Sequence, residues 1–290
     1  MPNKRPRGPQ PGWRPHRETL RVLGAVDDVV DRYRDHLPLS VRQLFYVLLG
    51  DGVVDKTEQD YKRLCEYLAM ARRAGRIAWT VIRDDTQIAV AAPTAYTGPG
   101  DFWDQVDAAA ATYRLDRQAG QPVVLELWCE TAGMVPQLAR IGAGYGIGCF
   151  SGGGFDGLTG KHDAAVRAGT RTVPTRVLHV GDRDPSGEHM FTALAEDVRA
   201  FAASEGAVVE FERVAVTEEQ VRTYRLPTAP AKASDHRSFT GTTTQAEALA
   251  PDVLAAIVHA RIHAHRDPEI GRQVLGRERI ERDRIRHELR

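Results

Sequence analysis

Three carboxylates carry the chemistry most easily read from this sequence. The apolar run Pro122-Val-Val-Leu-Glu-Leu-Trp-Cys129 ends in Glu130. A second apolar run, Arg176-Val-Leu-His-Val180, ends in Gly181-Asp182-Arg-Asp184-Pro-Ser-Gly187, an Asp-x-Asp-x-x-Gly pattern. In open α/β sheets, functional groups gather at the carboxyl ends of strands. Glu130, Asp182 and Asp184 brought together there would carry about three negative charges, which is costly without a cation. An all-oxygen donor set selects a hard ion, Mg²⁺ first and Mn²⁺ as its substitute. Carboxylate-held Mg²⁺ is the usual device for phosphoryl transfer, where it neutralises developing oxyanion charge. Glu126 interrupts the same strand and rivals Glu130, although Glu130 lies nearer the strand end. Taken alone, Asp182 to Gly187 also reads as a strand-to-helix turn, with Asp184 or Ser186 as N-cap.

A second candidate lies far upstream. With Ser40-Val-Arg-Gln-Leu-Phe-Tyr46 wound at about 100° per residue, Val41, Leu44, Phe45 and Leu48 share one face. Tyr46 then falls roughly 150° from the centre of that face, with Arg42 one turn earlier. A phenol is a poor nucleophile unless activated. A guanidinium one turn away could favour the phenolate or clamp a scissile phosphate. The alternative is a tyrosine packed in an interdomain seam, its hydroxyl satisfied and chemically idle.

The acidic pattern resembles the Toprim domain of topoisomerases, primases and some nucleases. That resemblance implies that Glu130 is an acid, base or metal partner and that Asp182 and Asp184 bind Mg²⁺. The family often has Lys after the Glu, and here Thr131 stands there. Ser-x-Arg-x-x-x-Tyr, ahead of a Toprim pattern, is similar to the catalytic segment of the topoisomerase VI A subunit and the meiotic double-strand-break transesterase. The likeness spans about residues 38–220 and implies that Tyr46 attacks DNA, assisted by Arg42. It also implies a homodimer in which the metal site serving each tyrosine comes from the partner subunit. Tyr61-Lys-Arg-Leu, Ala71-Arg-Arg-Ala-Gly75, Leu226-Pro-x-x-Pro-Ala-Lys232 and Gln245-Ala-Glu-Ala-Leu249 resemble the stand-alone Toprim proteins of phages and bacteria even more closely. Two departures are Gln87 after Asp84-Asp85-Thr86, where arginine is expected, and Gln245-Ala-Glu247-Ala-Leu, where Glu-Leu-Asp-Ala-Leu is expected. No ATPase motif is recognisable, so strand passage would need a separate ATPase, or a phage or defence partner subunit.

The elements that must position these residues are set by periodicity and punctuation. Helices are expected over Arg17 to Arg34, from Ser40 (a capping box with Gln43) to Gly50, and from about Thr57 to Gly75. A short strand, Ile77 to Ile82, comes next. Three helices and a strand is the order of a winged-helix DNA-binding unit. Lys62, Arg63, Arg72, Arg73 and Arg76 lie on and after its third helix, where they would meet phosphates or guanine edges of double-stranded DNA. The alternative is a solvated helix face. Beyond residue 119, strands at 122–129, 145–150, 176–180 and 207–216 alternate with helices at 132–141, 162–168 and 188–204, with Ser151-Gly-Gly-Gly154 between. That alternation predicts an α/β layer with a mostly parallel sheet. The expected division is a basic arm over 1–16, a winged-helix domain over 17–115, a Toprim (Rossmann-like) domain over 116–225, and a C-terminal loop and helical extension over 226–290.

Composition sets the outer bounds. Lys+Arg and Asp+Glu are both 39, so bulk charge alone does not hold the protein to nucleic acid or anionic membrane. Lysine occurs only at positions 4, 56, 62, 161 and 232, and arginine, the better bidentate phosphate ligand, dominates. Cys65, Cys129 and Cys149 form no Cys-x-x-Cys pair, which suits a reducing cytoplasm and a nucleoid-associated protein. No apolar stretch approaches about 18 residues, and the basic N-terminus lacks the apolar core of a secretory signal. The acidic pattern together with the family resemblance implies a Mg²⁺-dependent DNA transesterase. A Toprim hydrolase with Tyr46 unused and a non-catalytic DNA-binding or assembly module are its rivals.

Overall fold

The computed structural model describes residues 10–82, 95–151, 158–231 and 239–289. The first part is helical: α1 (Arg17–Arg32), α2 (Val41–Gly50) and α3 (Glu58–Arg73). The start of α2 is fixed by the expected capping box, in which the Ser40 hydroxyl accepts from Gln43 N–H and the Gln43 side chain accepts from Ser40 N–H. Thr57 caps α3 by accepting from Asp60 N–H. The three helices share one core, which includes Val26, Val29, Leu44, Leu48, Leu64 and Leu68.

The expected strand at Ile77–Ile82 is not formed. Val81 N–H bonds back to Ala78 carbonyl, a turn that breaks the extended run, and the segment keeps only an isolated parallel bridge between Leu39 and Ile82. Ile77 and Ile82 instead fill the helical core. No wing hairpin occurs among the described residues. A helix absent from the sequence reading, α4 (Pro99–Ala111), starts on Pro99 and packs against α10 (Pro268–Glu288).

The second part contains β1 (Val124–Cys129), α5 (Val135–Ala143), β2 (Gly148–Ser151), α6 (Leu158–Gly169), β3 (Thr175–Val180), α7 (Pro185–Ser204), β4 (Val209–Ala215) and α8 (Glu218–Thr223). The strands form one sheet in the order β2-β1-β3-β4, and every described pair is parallel. This is a Rossmann-like α/β layer. Leu125, Leu127, Cys129, Leu178 and Val180 face a core shared with α5 and α9 (Pro251–His265). Trp128 and Val177 face the opposite core, shared with α6 and α7. No helix among the described residues is long and apolar enough to cross a membrane.

The strand order decides where a site can form. The chain leaves β1 toward one edge and β3 toward the other, so the connections diverge between these two adjacent central strands. Such a switch point opens a crevice at the carboxyl ends. Glu130 lies just past β1 and Asp182 just past β3 there.

Candidate functional site

The β1 end and the β3 end meet through backbone and carboxylate. Glu130 N–H donates to Val180 carbonyl at 3.0 Å, and Glu130 Oε2 accepts from Asp182 N–H at 3.0 Å. The two glycines of Gly181-Asp-Arg-Asp-Pro-Ser-Gly187 make room for this contact. A Cβ at Gly187 would stand 2.5 Å from Asp182 carbonyl oxygen and 2.9 Å from Glu130 Oε2. One at Gly181 would stand 2.6 Å from His179 Cε1 and 3.0 Å from Glu130 Oε2. Asp184 is the N-cap of α7: its Oδ1 accepts from Gly187 N–H at 2.7 Å, and Pro185 occupies the first helical position. Asp182 Oδ1 accepts from Ala246 N–H at 2.8 Å. Each carboxylate thus spends one oxygen on a backbone amide.

Electrostatics mark these acids as under-compensated. Burial, then the charges of Asp182 and Asp184, push the Glu130 carboxyl up to about 7. Burial also raises Asp182, against the amide of Ala246 and the charges of Arg42 and Arg213. Arg213 on β4 is the built-in cation. It donates to Asp182 carbonyl, its Nη1 is buried without a partner, and burial lowers its pKa against the pull of Glu188, Glu130, Asp182 and Asp184. His179 is 3% exposed, and burial followed by Arg213 holds its pKa near 3, so it is neutral. The all-oxygen donor set of Glu130, Asp182 and Asp184 is of the kind that a hard divalent ion takes. Among the described residues, however, no group of three or more His, Cys, Asp or Glu side chains stands ready at metal-holding geometry.

Glu126 is separated from this site by its partners. It is 2% exposed and accepts from Arg167 Nε at 2.9 Å, Arg167 Nη2 at 3.0 Å, Arg171 Nη2 at 2.6 Å and Trp128 Nε1 at 2.8 Å. It is the anchor of α6, and Glu130 alone belongs to the acidic cluster.

Tyr46 is packed in a seam with its hydroxyl bonded, the packing that the alternative reading expects. It lies off the apolar face of α2, yet it is 8% exposed, because the segment 245–250 covers it. Its hydroxyl donates to Gln245 Oε1, and its ring meets Phe45 edge-on at 5.8 Å. Burial pushes the phenol up to about 12, with Arg42 opposing and Glu247 and Asp182 adding to the rise. The covering segment is fixed by Arg183, whose backbone pairs with Thr244 and whose guanidinium donates to Thr242 carbonyl at 2.6 Å and Thr240 carbonyl at 3.2 Å. A single path, Tyr46–Gln245–Ala246–Asp182, therefore joins the tyrosine to the acids inside one chain. Gln43 reinforces the joint by donating to Gln137, which in turn donates to Pro251 carbonyl.

The basic residues around α3 do not form one face. Arg73 and Lys62 point away from the core at helical spacing, whereas Arg63 and Arg72 flank it on opposite sides. Lys62 pairs with Glu58 at 2.7 Å and Arg63 with Asp60 at 3.2 Å. Arg72 lies over the ring of Trp79 at 4.4 Å, and that ring is 63% exposed. Arg76 is exposed just beyond the helix. The Asp84-Asp85-Thr86-Gln87 segment, Gly152 to Gly154, Lys232 and residues 1–9 of the arm lie outside the described residues. Sequence reading missed Arg213 and His179, which lie within strands without motif context. Gln245 did carry a signal, as a departure from the expected Glu-Leu-Asp-Ala-Leu. No protein-family model and no curated protein matches this chain.

Proposed function

We propose that the chain is a Mg²⁺-dependent, DNA-cleaving Toprim protein with an N-terminal winged helix, related to the topoisomerase VI A subunit. The observation that supports this reading is the path from Tyr46 and Arg42 to Asp182 within one chain. Tyr46 is the nucleophile: its oxygen bonds to a DNA phosphorus, the bond from phosphorus to the 3′ oxygen breaks, and that oxygen leaves as a hydroxyl after taking a proton. Arg42 stabilises the phosphate, and Glu130 moves the proton. Glu130, Asp182 and Asp184 would hold Mg²⁺ or Mn²⁺, which supplies charge neutralisation at the phosphate. Double-stranded DNA would meet the α3 side through Lys62, Arg63, Arg72, Arg73 and Arg76, with Trp79 beside Arg72. A homodimer would cut both strands; the path within one chain favours each tyrosine using its own chain's acids over the partner's acids that the resemblance implies.

A second reading, hydrolysis by a metal-activated water with Tyr46 unused, gains support from the phenol bound to Gln245 and pushed up to about 12. Supercoiled DNA incubated with Mg²⁺ or Mn²⁺ and run on a denaturing gel, with and without protease, separates the two. Transesterification leaves protein on a DNA end in the wild type. Tyr46→Phe and Asp182→Ala then leave none. Cleavage by Tyr46→Phe at the wild-type rate replaces this reading with the hydrolase. DNA binding without divalent-dependent cleavage would leave a non-catalytic module.

A further inference from the structure

Beside Tyr46, a cavity of about 350 Å³ opens between α2, the start of α3 and Gln245. Its walls carry two cations, Arg42 and Lys56, and two phenols, Tyr46 and Tyr61. Arg42 lies near enough to Tyr61 to oppose the rise that burial gives its phenol. Lys56 has no carboxylate partner among the described residues, and burial lowers its pKa with no opposing acid. The acid on this wall, Glu58, is taken by Lys62 at 2.7 Å with both side chains exposed. Two cations, one unpaired, share this space with hydroxyl groups, an arrangement suited to a monoanionic oxygen ligand.

We infer that this cavity seats a phosphodiester of the DNA strand, with Lys56 and Tyr61 as binding residues beside Arg42. The inference rests on the proposed reaction at Tyr46 and names the phosphate that reaction would address. A strand lying in the cavity brings its phosphate to the tyrosine beside Arg42 and Lys56.

The test is binding of the whole chain to a labelled DNA duplex, read by anisotropy in EDTA, so that no cleavage is required. Lys56→Gln should lower the log–log salt slope by about 0.9, so that its affinity deficit shrinks about 3.5-fold from about 50 to about 200 mM salt. Lys56→Arg should restore the slope. An unchanged slope in Lys56→Gln overturns the inference while leaving adduct formation by Tyr46 untouched. Absence of any DNA binding by the wild type overturns both. Inorganic phosphate alone provides the second arm. If it raises the wild-type melting temperature but not that of Lys56→Gln, while the DNA slope stays unchanged, the cavity takes free phosphate and the strand assignment is wrong.

Discussion

Two glutamates four residues apart on one strand should respond to the same substitution in opposite ways. Glu126→Gln keeps shape but turns one acceptor into a donor facing Arg167, Arg171 and Trp128. Removing one partner of a buried ion pair costs about 3–5 kcal/mol. Arg167 and Arg171 are 31% and 18% exposed as side chains, so water recovers part of their solvation. The lower end, about 3 kcal/mol, is therefore expected, or roughly 6–12 °C in Tm for a chain of this size. Glu130→Gln removes one of three crowded carboxylates. Without divalent ions it should leave Tm unchanged or raise it, while abolishing metal-dependent cleavage. Urea unfolding monitored by far-UV circular dichroism and by tryptophan fluorescence measures both, since Trp128 is buried against Glu126. A Glu126→Gln protein that keeps its Tm but loses cleavage would make Glu126 the functional acid and refute the assignment.

The same contacts set other outcomes. Burial works to raise the Glu126 carboxyl, but the bonds and charges of Arg167 and Arg171 outweigh it and hold it below its ordinary 4.5. Its contribution is thus present above about pH 4.5 and is lost as pH falls through the lower folded value, so wild type should lose more stability than Glu126→Gln in acid titration melts. Tyr46→Phe should cost only about 1–2 kcal/mol in urea unfolding, because the ring stays packed and one acceptor, Gln245, is left bare; a larger loss would make its cleavage defect structural. Glu278→Ala should cost about 3 kcal/mol or more by the same measurement, since it strands Arg117, Arg282 and the Leu115 amide. Mixing Tyr46→Phe with Asp182→Ala should restore no nicking if each site lies within one chain, and recovered nicking would place the partner's acids at each tyrosine.

The strand-end acids were legible because their signal is local. An apolar run fixes a central strand, and the residues just past its end must lie at the switch point once the sheet is parallel. Capping chemistry likewise located α2 and α3 from Ser40, Gln43 and Thr57 alone. Tyr46 shows the limit of periodicity. Helical spacing says which residues leave the α2 core, but not what another part of the chain lays over them, and here a segment some two hundred residues later buries the ring. The strand at Ile77–Ile82 failed for a related reason. Its apolar residues were read as sheet when a three-helix core had places for them, and Ala78 to Val81 closes a turn instead. Arg213 was unreadable because its role depends on which strand becomes the neighbour of β3, and Arg213 is the register partner of His179.

The segment 239–249 is what gives these parts a common geometry. Neither α2 nor the sheet touches Tyr46 and Asp182 together; Gln245 and Ala246 do, by side chain to one and by backbone to the other. Their placement depends in turn on Arg183, which sits between Asp182 and Asp184 and is 7% exposed, its guanidinium donating to two carbonyls of the segment. The Asp-x-Asp turn therefore sets the position of the tyrosine's hydrogen-bond partner through its own middle residue. A glutamine at 245 accepts the phenol proton's hydrogen bond without adding charge to an already acidic site, whereas a glutamate there would place a further carboxylate beside Glu247 and Asp182, both of which already raise the phenol. Gln245 thus holds the phenol without adding charge to the crowded acids.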